Sequence, residues 1–122
     1  MIFKGFAVGS YYSNCYIVGS ETVREAAIID PGADFNKIDS LIEELKLVPK
    51  MIILTHFHGD HIGAVSDIVE KYSTKVYIHK DDAEYLKDSN INFSKQIVGK
   101  NISIKPDVLL NDGDVLALAA LH

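Results

Sequence analysis

At 122 residues and 48% hydrophobic composition, the chain is long enough to bury a real core, and its length asks for no more than one domain. A net charge of -5 gives no encouragement to nucleic-acid binding or to docking on an anionic membrane surface. No apolar stretch approaches the roughly 20 residues needed to cross a bilayer. The opening Met1 to Ser10 lacks the basic region, apolar core and small-residue cleavage site of a signal peptide, so a cytoplasmic protein is expected. Cys15 is the sole cysteine; it excludes an intrachain disulfide, fits a reducing compartment, and reads as a small buried hydrophobe.

Ile2 to Val8, Asn14 to Val18 and Ala26 to Ile29 are rich in β-branched and aromatic side chains and predict antiparallel strands, with a turn at Gly19-Ser20-Glu21. Asp30-Pro31-Gly32 stops the third strand. Asp34 is then placed to cap a helix whose apolar positions Phe35, Ile38, Leu41, Ile42 and Leu45 fall at helical spacing. Pro49 closes the connection. The continuous apolar run Met51-Ile52-Ile53-Leu54 predicts a strand buried on both faces.

Ile62, Val65, Ile68 and Val69 predict a helix from about His61 to Tyr72, and Val76-Tyr77-Ile78 a further short strand. Asp81 to Lys87 predicts another helix. The polar stretch from Asp88 to Lys105 reads as a surface loop with a short strand near Ile102 to Ile104. Asn111-Asp112-Gly113-Asp114 is a turn signal, after which Val115 to Leu118 begins a strand. With no internal repeat or linker, the order of elements predicts an α/β fold, a mixed sheet with helices packed on it.

Between the predicted strand at 51–54 and the helix after it stands Thr55-His56-Phe57-His58-Gly59-Asp60-His61, which holds four potential metal ligands within six residues. A strand-to-helix connection of this kind faces the crevice where open α/β sheets bind ligands. Side chains two apart in an extended strand share a face but lie roughly 7 Å apart, so one ion needs a curled chain. Gly59 permits the curl. A curled loop can point His56 and His58 at one ion and Asp60 and His61 at a neighbour. Imidazoles with a carboxylate suit zinc first, with iron and manganese also compatible. Catalytic zinc keeps a position open for water and lowers its pKa to about 7, making hydroxide available at neutral pH. The bland alternative, ordinary loop histidines, fits a lone His better than three His and an Asp at this spacing.

The pattern H-x-H-x-D-H resembles the signature of the metallo-β-lactamase superfamily. Asn14-Cys15-Tyr16-Ile17-Val18, Ala27-Ile28-Ile29-Asp30-Pro31-Gly32, Ile53-Leu54-Thr55 and Asn111-Asp112-Gly113-Asp114 resemble its glyoxalase II-like branch, so the likeness covers nearly the whole chain. It implies the N-terminal half of an αβ/βα sandwich and hydrolysis of a thioester such as a hydroxyacyl-glutathione, with two divalent metal ions, zinc first. By motif, His56 and His58 look like ligands of the first metal, and Asp60 and His61 of the second, Asp60 also orienting the hydroxide.

Asp30 looks like a residue that hydrogen-bonds a metal-bound imidazole from behind. Its plain alternative is a turn-former ahead of Pro31 and Gly32; Thr55 likewise reads as structural. The family's later ligands, a His in a T-x-G-H-like segment, a bridging Asp and a final His, do not occur in these residues. Residues 1–122 therefore read as a single, apparently truncated domain. It would expose apolar surface that a second half covers and so tend to form homo-oligomers.

Relatives with the same signature imply two alternatives, an iron-dependent persulfide dioxygenase or a diiron oxidoreductase. A third is a non-catalytic, metal-binding half-domain. A β-lactamase is disfavoured by the absence of a signal peptide, and an RNA phosphodiesterase gains nothing from the acidic balance. Tyr11 and Tyr12 are placed to line a pocket, although aromatic residues at a strand connection more often pack. His79 reads as a surface or helix-start residue, and His122, the last residue, is set aside.

Overall fold

Runs rich in β-branched and aromatic side chains build the first strands of the computed structural model, which describes residues 1–92, 94–99 and 102–113. Strands β1 (Ile2–Val8), β2 (Ser13–Gly19) and β3 (Glu25–Ile29) form an antiparallel meander. From β3 the sheet continues in parallel through β4 (Val48–Leu54), β5 (Lys75–His79) and β6 (Val108–Leu110), giving a six-stranded mixed sheet in sequence order. Parallel neighbours need crossovers, and helices supply them. Helix α1 (Phe35–Leu45) joins β3 to β4, α2 (Gly59–Ile62) and α3 (Val65–Tyr72) join β4 to β5, and α4 (Ala83–Leu86), α5 (Ser89–Asn92) and α6 (Ser94–Val98) join β5 to β6. The α/β class expected from the sequence is the one observed. Among the described residues, no helix is long and apolar enough to cross a membrane.

One sheet face carries Cys15, Ile17, Ile28, Ile52, Val76 and Ile78, all buried in a common core with Ile38 and Ile42 of α1 and Val65 and Ile68 of α3. The opposite face is different. Strand register places Tyr16, Ile29, Ile53, Tyr77 and Val108 in one row across the sheet, and each is only half-buried. The strand at 51–54 is thus sealed on one face rather than on both.

Other departures have local causes. Asp34 precedes α1 in a left-handed conformation with no side-chain cap bond, because its carboxylate accepts the N–H of Gly9 at 2.9 Å. Pro49 lies inside β4, at the irregularity where the register with β3 shifts. The helix expected over 61–72 is split, since the N–H of Ala64 donates to the carbonyl of Pro31 at 2.9 Å and leaves the helical ladder. Ile102 and Ile104 are buried but form no strand: the Ile102 N–H donates to Ser94 Oγ at 2.7 Å and that of Ile104 to the Leu86 carbonyl at 3.2 Å. The helix expected over 81–87 shortens to α4, and the loop expected over 88–105 contains α5 and α6. Asp114, the strand expected at 115–118 and His122 lie outside the described residues.

Candidate metal centre

The end of β1, the start of β2 and the carboxyl ends of β3, β4 and β5 meet at one edge of the sheet. Asp30, Thr55 and the motif loop therefore converge there, where parallel strands leave a crevice. Asp30 is the first residue beyond β3, 4% exposed, with φ of 52°. Asp tolerates this left-handed conformation better than most residues. Its N–H donates to the Ile53 carbonyl at 3.1 Å, and its Oδ1 accepts the N–H of Thr55 at 2.8 Å. The Thr55 hydroxyl donates to the other oxygen, Oδ2.

That bond orients His56. Thr55 Oγ1 lies 2.8 Å from His56 Nδ1, and a hydroxyl whose proton goes to a carboxylate can only accept at its other contact. The assignment puts a proton on Nδ1 of His56 and leaves Nε2 with a free lone pair, the form in which a neutral imidazole binds a metal.

His61 stacks on His56, with ring centroids 4.5 Å apart and planes inclined by 28°. Its Nδ1 is buried and 3.3 Å from Asp30 Oδ2, a charge contact without the direction of a hydrogen bond, so this nitrogen has no hydrogen-bond partner. The Asp30 carboxylate holds the His61 imidazole above its ordinary 6.5, against the opposing effect of burial and with further help from Asp60. Nε2, at the other side of the ring, is 3.5 Å from Asp60 Oδ2. Two ligand atoms bound to one tetrahedral zinc at 2.0–2.1 Å stand about 3.4 Å apart, so that edge matches the spacing of a shared ion.

Asp30, His56 and His61 each offer one ligand atom, all within 4.8 Å of one another. Two imidazoles and a carboxylate gathered in this way form a donor set that fits zinc, iron or manganese. The fold thus gathers His56 and His61, with Asp30 in contact and Asp60 beside them. His58 falls outside this group. It precedes α2 in extended conformation, with its ring 4.5 Å from that of Phe57. His79 is also apart, with Nε2 2.8 Å from Asp112 Oδ1 and Nδ1 accepting the Asp81 N–H at 3.2 Å.

Two contributors carried no role in the sequence. Ser13 donates its hydroxyl proton to Asp60 Oδ2 at 2.8 Å across 47 residues, a contact that no local pattern announces. Gly32 packs against the Asp60 peptide, and the Asp-Pro-Gly turn was its only signal. Beside them a cavity of about 260 Å³ is lined by Val8, Gly9, Ser10, Tyr11, Gly32, Ala33 and Asp60, with Tyr11 at its rim.

Residues 8–119 match the family model of the metallo-beta-lactamase superfamily. The chain is similar to the probable metallo-hydrolase YqgX of Bacillus subtilis (strain 168), at 36% identity over 114 residues, covering 93% of this chain and 53% of that protein. It is 30% identical over 113 residues to the hydroxyacylglutathione hydrolase GloC of Haemophilus influenzae, covering 91% of this chain and 53% of that protein. Among solved structures it resembles the B3 metallo-beta-lactamase BLEG-1, with a TM-score of 0.85, 32% identity, and coverage of 97% of this chain and 57% of that one. The chain spans about half the length of the relatives it matches. The matched residues take in the sheet edge, the motif loop and Asp30 together, and the chain belongs to the metallo-β-lactamase superfamily.

Proposed function

We propose that the protein is a metal-dependent hydrolase acting on a thioester of the hydroxyacyl-glutathione kind. The observation that carries the reading is the cluster of Asp30, His56 and His61, whose ligand atoms all lie within 4.8 Å of one another. The choice of thioester is supported by the likeness to the hydroxyacylglutathione hydrolase. His56, His58, Asp60 and His61 would hold two divalent ions, zinc first. Bound there, such ions supply Lewis-acid activation of water and of a carbonyl.

The chain's own residues prepare that chemistry. Thr55 and Asp30 fix the tautomer of His56, and Asp30 keeps His61 turned so that Nε2 faces Asp60. Asp60, which lines the cavity beside the cluster, is the candidate to orient the attacking water. A glutathione-linked substrate and a lone buried thiol at Cys15 both suit a reducing, cytoplasmic setting.

A second reading, β-lactam hydrolysis, draws on the likeness to the B3 enzyme. The intact protein, loaded separately with zinc and with iron, should be assayed against an S-hydroxyacyl-glutathione and a β-lactam, with metal content measured on each sample. Turnover of the thioester with about two metal equivalents is expected. Metal uptake with turnover of the β-lactam alone would replace the thioester reading, and failure to bind either metal would remove both.

A further inference from the structure

We propose that Ser13 is a positioning residue for Asp60, setting which carboxylate oxygen is spoken for and which is presented to a bound ion. This rests on reading Asp60 as a metal ligand. Asp60 sits in the first turn of α2, a four-residue helix whose preceding residue, His58, makes no side-chain cap bond. Its side chain is 24% exposed, and its polar contacts among the described residues come from His61 beside it and from Ser13 in β2. Its peptide is fixed from outside, pressed against Gly32. What remains free is the side-chain torsion.

Ser13 supplies that restraint. It is 7% exposed and opens β2, held opposite Val8 by the pairing of β1 and β2. Its hydroxyl is the donor to Asp60 Oδ2 at 2.8 Å, from an element 47 residues away in the chain. Oδ2 is also the oxygen that lies 3.5 Å from His61 Nε2. Both contacts of the carboxylate among the described residues thus fall on one oxygen, and Oδ1 is left for a further partner. A single proton donated to Oδ2 also lowers that oxygen's basicity relative to Oδ1, which makes the two inequivalent toward a cation.

The role separates from simple packing through a pair of variants with the same shape. Ser13→Thr keeps the hydroxyl and Ser13→Val removes it, and both side chains suit a strand. In the intact protein, cobalt(II) binding would be followed by competition with a chromophoric chelator and by the visible cobalt spectrum. Ser13→Thr should match the unsubstituted protein. Ser13→Val should bind the Asp60-dependent equivalent about 10- to 100-fold more weakly, the usual range for losing a partner of a ligand. Its cobalt spectrum should change in band position or intensity. Equal affinities and equal spectra for the two variants, whether both normal or both impaired, would make Ser13 a packing residue and overturn the inference. If the unsubstituted protein binds no cobalt, the metal-centre reading itself fails and takes this one with it; circular dichroism of each variant distinguishes an unfolded chain from a binding defect.

Discussion

Gly32 lies so close to the Asp60 peptide that a Cβ built on it would fall 1.8 Å from the Asp60 carbonyl oxygen and 2.7 Å from its carbon. The turn after β3 and the loop after β4 are therefore in backbone contact, and the Ala64 N–H tied to the Pro31 carbonyl at 2.9 Å clamps the same pair of loops. Backbone cannot yield as a flexible side chain does. Gly32→Ala is expected to push the two loops apart at a cost of about 1–3 kcal/mol, in the range for overpacking a tight contact. Because the displaced loop carries Asp60 and His61, cobalt or zinc affinity should fall along with the melting temperature. A Gly32→Ala protein with unchanged stability and metal affinity would show that the loops separate freely.

The ion pair between Asp30 and His61 predicts pH dependences of opposite sign with and without metal. His61 is raised above 6.5 in the folded chain, so without metal its contribution to stability is complete below the unfolded value and is lost as pH rises through the raised one. A metal needs the ring without its extra proton, so zinc binding weakens as pH falls through that same raised value. Melting temperatures taken between about pH 5.5 and 8.5 should fall with pH in chelator and rise with pH in zinc. Asp30→Asn should flatten the chelator curve and weaken zinc about 10- to 100-fold, as for other residues that support a ligand from behind. Parallel curves under the two conditions would contradict the assignment of His61.

How far the sequence reaches can be judged on these same residues. Strands β1 to β3 were legible from their β-branched and aromatic content, and helix α1 from apolar positions at helical spacing, of which Ile38 and Ile42 are buried. β6 is three residues long and is defined by pairing with β5, so periodicity had nothing to act on. The break between α2 and α3 depends on Pro31, more than thirty residues upstream of Ala64, which a local reading continues straight through. At the site, the spacing of His56, His58, Asp60 and His61 singles out the loop, and the strand-end position singles out Asp30. Which histidines face each other was not legible. That is decided by Asp30, Thr55 and ring stacking in three dimensions.

Between α1 and α3, Lys71 Nζ is 2.6 Å from Asp39 Oδ2 and 3.0 Å from Glu43 Oε1, and the Tyr72 hydroxyl donates to Asp39 Oδ1. Burial pushes the Asp39 carboxyl upward, but the hydrogen bonds from Lys71 and Tyr72 outweigh it and hold the group below its ordinary 3.8. A lowered carboxyl stabilises the fold above the unfolded value and loses that effect as pH falls through the folded one. Asp39→Ala should cost about 1–2 kcal/mol at neutral pH, most of it from the hydrogen bonds to a charged acceptor and little from the exposed lysine. The difference from the unsubstituted protein should vanish in acid below the folded value. A constant difference from neutral to strongly acidic pH, read by denaturant melts, would assign the loss to packing instead.

The row of Tyr16, Ile29, Ile53, Tyr77 and Val108 leads to the last prediction. These side chains lie on the sheet face opposite the one covered by α1 and α3, and all remain half-buried, while Phe3 nearby is 61% exposed. A row of half-buried apolar side chains on one open sheet face is the kind of patch that marks an association surface. Residues 1–122 produced as they stand are therefore expected to self-associate, with sedimentation giving a mass that rises with concentration. Ile53→Lys should return the chain toward a monomer, because a half-buried charge on that face must be solvated and opposes its burial against a second copy. Lys at this position keeps clear of the core, since Ile52 and Leu54 point to the other face. A monomer at all concentrations in the unsubstituted chain would mean that side chains of this row cover one another well enough to need no partner.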